Sequence, residues 1–205
     1  GKTRQVLDKF SVIMALKALD RCDVAVLVLD SAEQVSDQDA TIAGYAMDRG
    51  KACLILGNKW DLSKEKEISF DEFEEHVRYR LKFMEYAPVV TVSAKTGLRI
   101  DKILPQVEKV YEEYSRKIPT ATLNECFERA IQKNPMSSYR GKFMKLFYAT
   151  QVKKQPPTFK CFLNFPEGIH FSYRRYLINS LRKRFGFYGT PVRLILSGKR
   201  KGIDS

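Results

Sequence analysis

Two short runs in the sequence carry residue types that could do specific chemistry: Asn58-Lys59-Trp60-Asp61 and Ser93-Ala94-Lys95. Each directly follows an apolar run, Ala52 to Leu56 in one case and Pro88 to Val92 in the other. The two oxygens of the Asp61 carboxylate can accept from two adjacent N–H donors. Guanine presents such a pair, its ring N1–H and its exocyclic N2–H₂, and adenine does not. Losing that bidentate contact would strand a buried charge, so it discriminates strongly between the bases. Lys59 can lay its methylene stem over a base, and Asn58 can tie its loop to neighbouring loops through side-chain hydrogen bonds. After the next apolar run, the backbone N–H of Ala94 can donate to the guanine carbonyl while Lys95 covers the other side of the ring. Either motif alone would pass for an ordinary loop. NKxD after one buried strand and SAK after the next, with one helix between, predicts a guanine site made of Asn58, Lys59, Asp61, Ser93, Ala94 and Lys95.

The elements that must position these loops alternate between helical and strand patterns. Val6, Phe10, Ile13, Met14, Ala18 and Leu19 recur near helical spacing and predict a helix over 6–20. Val24 to Leu29 is a continuous apolar run of the kind found in strands covered on both faces. Ser36-Asp37-Gln38-Asp39 supplies capping chemistry for a helix to about Asp48, which Gly50 ends. Further helices are expected over roughly 70–85 and 99–116, with strands at Ala52 to Leu56 and Pro88 to Val92. Strands alternating with helices predict a parallel α/β sheet with flanking helices, and ligands bind beyond the carboxyl ends of such strands, where both motifs lie.

From about residue 119 the pattern becomes helix, strand, strand, helix, strand, a small α+β unit. Leu123, Cys126, Phe127, Ala130 and Ile131 stripe the first helix; Phe143 to Val152 and Thr158 to Phe165 are strands joined around Pro156-Pro157; Val192 to Leu196 is the last strand. The charge changes at the same place. Residues 1–118 hold 19 Lys and Arg against 20 Asp and Glu, whereas residues 119–205 hold 17 against 4, so the whole net charge of +12 resides in the second part. A unit this basic usually has a polyanionic partner. Lys142, Lys145, Lys153, Lys154, Arg174, Arg175, Arg182, Lys183 and Arg184 are the candidates for phosphate contact in RNA. Most of the 14 Phe and Tyr of this part sit at core spacing. Gly186-Phe187-Tyr188-Gly189 matches the GXXG of RNA-binding KH domains literally, but it leads from a helix into a strand rather than joining two helices, so a structural turn is expected.

The remaining signals are structural. A composition of 44% hydrophobic and 29% charged residues is that of a globular chain, and no apolar run is long enough to span a bilayer. Cys22, Cys53, Cys126 and Cys161 lie far apart, without zinc-site spacing, and read as free thiols. His76 is expected on the surface, His170 as a local cap or packing group, and Asp30 as a strand-end cap rather than a metal ligand.

The two motifs together resemble those of the translation-factor-like GTPases. Phe10-Ser11-Val12, Val24 to Asp30 with Ser36-Asp37-Gln38-Asp39, and Asn58 to Leu62 resemble the second GTPase domain of the bacterial Der/EngA family. The resemblance continues through Tyr148 to Gln151, Pro156 to Phe159, Ser172 to Leu177 and Phe185 to Pro191, which look like the KH-like domain of that family. It implies residues 1–118 as part of a P-loop-GTPase-type domain and 119–205 as a basic KH-like domain. It further implies GTP or GDP as ligand with Mg²⁺ in the complete protein, a bacterial cytoplasmic setting without a membrane, large ribosomal subunit assembly with its rRNA, and upstream G domains as partners. Gly1-Lys2-Thr3 matches only the tail of a phosphate loop, and one helix between Thr3 and Val24 leaves no room for switch segments. The family alignment puts these residues after the DxxG switch, with the P-loop and the first three strands upstream. The expectation is that this stretch by itself has neither phosphate cradle nor Mg²⁺ ligand and does not hydrolyse GTP, and that the Val24 strand forms an exposed apolar edge. The competing reading is a non-catalytic RNA- or protein-docking module whose first half is a scaffold.

Overall fold

A computed structural model describes residues 2–198, with side chains from Val12 onward. The reading of Gly1-Lys2-Thr3 therefore lies outside the described side chains. The chain forms two compact units: one extends to Tyr114 and takes in Tyr188–Pro191, and the other comprises Ser115–Phe187 and the segment from Val192.

The first unit runs α1 (Lys2–Arg21), β1 (Val24–Asp30), α2 (Asp37–Asp48), β2 (Ala52–Asn58), α3 (Phe70–Arg80), β3 (Val89–Thr91) and α4 (Ile103–Tyr114). Its sheet has the order β1-β2-β3 with all pairs parallel. Helices α2 and α3 begin with matching capping boxes: Ser36 with Asp39 and Ser69 with Glu72 exchange side-chain and backbone hydrogen bonds. These boxes fix where each crossover helix starts. Cys53 and Ile55 on β2 pack with Leu19, Ala43, Phe73 and Val77 from α1, α2 and α3, while Leu54, Leu56 and Val92 pack with Ile103 and Val107 of α4 on the other face. Strand β2 is consequently buried from Ala52 to Gly57. Strand β1 is an edge strand among the described residues. Its Val26 and Val28 pair in register with Leu54 and Leu56 and remain 39% and 54% exposed. The continuous apolar run thus marks a strand covered on one face and open on the other.

Two helix boundaries depart from the periodicity. Helix α3 stops at Arg80, where Leu81 leaves helical dihedrals (φ −112, ψ 45) and a short 3₁₀ turn buries Leu81 and Met84 instead. The Arg78 guanidinium, donating to the Ala87 carbonyl at 2.7 Å, closes that turn. Helix α4 begins at Ile103, after Arg99 in the left-handed region (φ 56) and a 3₁₀ turn, Ile100–Lys102. Tyr188–Pro191 packs within this unit. Cys53 N–H donates to the Gly189 carbonyl at 2.8 Å and Gly189 N–H to the Tyr86 carbonyl at 3.0 Å.

The second unit runs α5 (Thr120–Lys133), β4 (Leu146–Lys153), β5 (Thr158–Leu163), α6 (Phe171–Phe185) and β6 (Arg193–Gly198). Its sheet has the order β4-β5-β6, antiparallel then parallel. Ala149, Phe159, Cys161, Leu163 and Leu194 point to one face and pack against Leu123, Phe127, Leu177 and Leu181 of α5 and α6. Strand β4 starts three residues later than the apolar run suggests. The Asn164 side chain accepts from Lys145 N–H at 2.8 Å and donates to the Phe143 carbonyl at 2.9 Å, so only the Lys145 carbonyl keeps a backbone partner, and Phe143 is 90% exposed. His170 caps α6, its ring accepting from Ser172 N–H. In the GXXG run, Gly186 (φ 89) and Phe187 (φ 59) make a turn that drives the Phe187 ring fully into the core, edge-on to Phe159. All four cysteines are free, and burial pushes the Cys53 and Cys161 thiols up to about 12.

Gly57 is the last buried residue before the first motif, and a Cβ there would stand 2.5 Å from the Phe73 ring. Gly57→Ala is expected to cost about 1–3 kcal/mol through overpacking. Urea denaturation measures it, and a cost near zero would show that the Phe73 ring yields freely.

Candidate functional site

The parallel register places Asp30 opposite Asn58, so the chain leaves β1, β2 and β3 along one end of the sheet. Three loops meet there. The Ser31 N–H and hydroxyl both donate to the Asn58 carbonyl, at 2.9 and 2.7 Å. From the other side, Trp60 N–H donates to the Val92 carbonyl at 3.0 Å, and the Ala94 N–H donates to Asn58 Oδ1 at 3.0 Å. The Asn58 side chain thus ties the two motif loops together. The Ala94 amide, expected from the sequence to donate to a base carbonyl, is thus engaged by Asn58, and a base would have to share or displace that bond.

Asp61 lies in a 3₁₀ turn, Trp60–Leu62, entered through Lys59 in the left-handed region (φ 64). The Ser93 hydroxyl donates to Asp61 Oδ1 at 2.6 Å and itself accepts from Thr96 N–H at 3.2 Å. Ser93 is fully buried, so this bond is shielded and sets the plane of the partly exposed Asp61 carboxylate. The Trp60 ring packs edge-on against Phe70 and Phe73, which anchors the one motif position free to vary. Lys95 and Ala94 are exposed beside the carboxylate loop.

Lys59 Nζ does not reach freely over this surface. It forms an ion pair with Asp30 Oδ2 at 2.5 Å, and Asp30 Oδ1 accepts from Ala32 N–H at 3.0 Å. Burial by itself would raise the Asp30 carboxyl, but the Lys59 ammonium, the Ala32 amide and the charge of Lys66 outweigh it and hold its pKa below the ordinary value of 3.8. The same pairing raises the Lys59 ammonium above its usual 10.5. Asp30 and Ser31 are therefore structural members of the site that motif reading missed. The signal was available in the two apolar runs, since equal-length parallel strands align their ends. His76 also differs from its reading as a surface group: it is half-buried, and its Nε2 accepts from Val35 N–H at 3.2 Å, fastening the loop after β1. Among the described residues no group of three His, Cys, Asp or Glu could hold a metal ion.

The basic candidates of the second unit do not form one patch. Lys142 and Lys145 precede β4 while Lys153 ends it and Lys154 follows, about 26 Å away along an extended strand. Arg174 and Arg175 begin α6 and Arg182, Lys183 and Arg184 end it, about 13 Å further along the helix. Arg174 is spent on the Leu194 carbonyl at 2.5 Å and Arg182 on that of Phe187 at 3.1 Å. Lys183 and Arg184 instead border a groove of about 450 Å³ between α5 and α6, joined by Arg129 and Lys133. Those two cations were legible as an i, i+4 pair on the face of α5 that carries Cys126.

Comparison with known proteins agrees with both halves of this architecture. Residues 9–113 match the Elongation factor Tu GTP binding domain, and residues 117–196 match the KH-domain-like C-terminal domain of EngA bacterial GTPase enzymes. The GTPase Der of Desulforapulum autotrophicum is 47% identical over 204 residues, covering 100% of this chain and 42% of that protein. This chain belongs to the Der/EngA GTPase family. The Der proteins of Moorella thermoacetica and Bacillus thuringiensis are 48% and 46% identical, over 95% of this chain and 44% and 45% of their own lengths. The chain thus spans less than half the length of these curated relatives.

Two outcomes test the geometry without a nucleotide. Ser93→Ala leaves Thr96 N–H without its bond and is expected to cost about 1–3 kcal/mol in chemical denaturation. The lowered Asp30 pKa contributes stability that is present above the ordinary value of 3.8 and lost as pH falls through the folded value. Asp30→Asn should accordingly make acid unfolding less steep in that range, read by far-UV circular dichroism; an unchanged acid limb would show that the ion pair adds nothing.

Proposed function

We propose that the first unit reads the guanine base of GTP or GDP through Asn58, Lys59, Asp61, Ser93, Ala94 and Lys95, and that the second unit contacts RNA of the large ribosomal subunit. The observation that carries the base reading is the Ser93–Asp61 bond of 2.6 Å, which fixes one carboxylate at the sheet's carboxyl end, where such sheets bind ligands. The residues fit the base end of the nucleotide. Asp61 accepts from the N1–H and N2–H₂ groups, and the Lys59 stem, steadied by Asp30, covers one ring face. Lys95 flanks the other, and a base carbonyl shares or displaces the Ala94 bond to Asn58. Triphosphate and Mg²⁺ chemistry, including GTP hydrolysis, belongs in this reading to a polypeptide of the relatives' full length, acting in the bacterial cytoplasm with its other G domain as partner. The match to a Der/EngA KH-like domain and the placement of nearly all excess charge in residues 119–205 support RNA contact.

Asp61→Asn replaces one acceptor oxygen by a donor, which suits the second carbonyl of xanthine. In a polypeptide extended to the length of the relatives, GTP affinity should fall at least ~100-fold while XTP affinity rises. Competition binding of the two nucleotides reads this, and an unchanged preference for GTP would overturn the assignment. Binding of ribosomal RNA to this chain should weaken steeply with salt if cations contact phosphates, whereas a shallow slope would favour a protein-docking role.

A further inference from the structure

The sheet of the second unit has one face under α5 and α6 and a second face that no described helix covers. Its outward positions follow from the register. Tyr148 pairs with Phe162 and Phe162 with Ser197, and Thr150 pairs with Lys160 and Lys160 with Ile195; beyond a register shift Lys153 pairs with Thr158, where the face closes because Thr158 is buried. Tyr148 and Phe162 are stacked, with ring centroids 4.4 Å apart and planes 19° from parallel. Lys160 Nζ sits 5.1 Å from the Phe162 centroid, on the neighbouring row. The stack therefore has a cation beside Phe162 and continues to Tyr148, which is 48% exposed. Strands β4, β5 and β6 contain no Asp or Glu, so no carboxylate of the sheet itself stands beside Lys153 and Lys160.

We propose that this open sheet face is a stacking platform for single-stranded RNA, with a base laid on the outer face of Tyr148 and the backbone running past Lys160 and Lys153. A flat sheet offering ring faces between cations matches unpaired bases, which expose their own faces, and not a duplex, whose bases are stacked away. The charge of the unit favours a polyanion over an apolar protein surface, which would leave Lys153 and Lys160 desolvated. The inference rests on the reading of this unit as RNA-contacting, but uses residues apart from the basic helix α6.

The test is equilibrium binding of the chain to a labelled uridine dodecamer and to a duplex RNA of equal length. Single-stranded RNA should bind more tightly than duplex. Tyr148→Leu and Phe162→Leu should each weaken it about 5- to 150-fold, the range for losing one stacked base, while Tyr148→Phe stays within about twofold. Lys160→Gln should lower the salt slope by about 0.7. Leucine variants that bind the dodecamer as tightly as the unchanged chain, with Lys183→Glu and Arg184→Glu alone abolishing binding, would overturn the platform and leave the RNA reading standing. Absence of binding to either RNA would overturn both. Photocrosslinking of an iodouridine-substituted dodecamer to the unchanged chain removes dependence on variant folding: an adduct at Tyr148 supports the platform and one confined to α6 overturns it.

Discussion

Strand β2 is buried on both faces from Ala52 to Gly57, and such a strand tolerates no unpaired backbone amide. Its amides are met by β1 along its whole length and by β3 over Ile55–Gly57, and the crossover helices α2 and α3 make both pairings parallel, which brings Asp30 level with Asn58 and delivers the chain after β3 to the same rim. Everything at the candidate site hangs on that alignment. The Ser31 bonds to the Asn58 carbonyl and the Ala94 bond to the Asn58 side chain each span two strand ends. Shifting β2 by a single residue would separate them all, and would also turn buried side chains to the opposite face.

The site is organised as two nested shells of polar bonds around a single exposed carboxylate. Ser93 is buried and saturated, so it orients Asp61 without competing for ligand. Asp30 plays the corresponding part for Lys59, and both partners' acidities shift in the direction that strengthens the pair. The second unit has the opposite economy of charge. With 17 basic and 4 acidic residues in 119–205, its cations find few carboxylates, and several turn to backbone carbonyls instead, as Arg174 and Arg182 do.

Much of this could be read from sequence, for identifiable reasons. The order of elements, the cap at Ser36, and the convergence of NKxD and SAK follow from local patterns that tertiary packing had no cause to override. What escaped were relations across the sheet. The Asp30–Lys59 pair joins residues 29 positions apart, and the His76 bond to Val35 spans 41. The Ala94 bond to the Asn58 side chain spans 36. The late start of β4 depends on one side chain, Asn164, substituting for a ladder partner. The outward aromatic pair Tyr148 and Phe162 escaped because core and surface rings look alike until the register assigns faces.

Lys59 sits in the left-handed backbone region at φ 64 while its ammonium is held by Asp30. A residue bound by both demands has a narrow set of acceptable replacements. Glycine or asparagine would relieve the backbone but forfeit the ion pair, and arginine would keep a charge with a different reach. β-Branched residues would meet the steric penalty directly. A saturation library at this position should thus be far more depleted than one at Lys95, although both are surface lysines of the same rim. Exposure is a poor guide to mutational freedom where the main chain itself is committed.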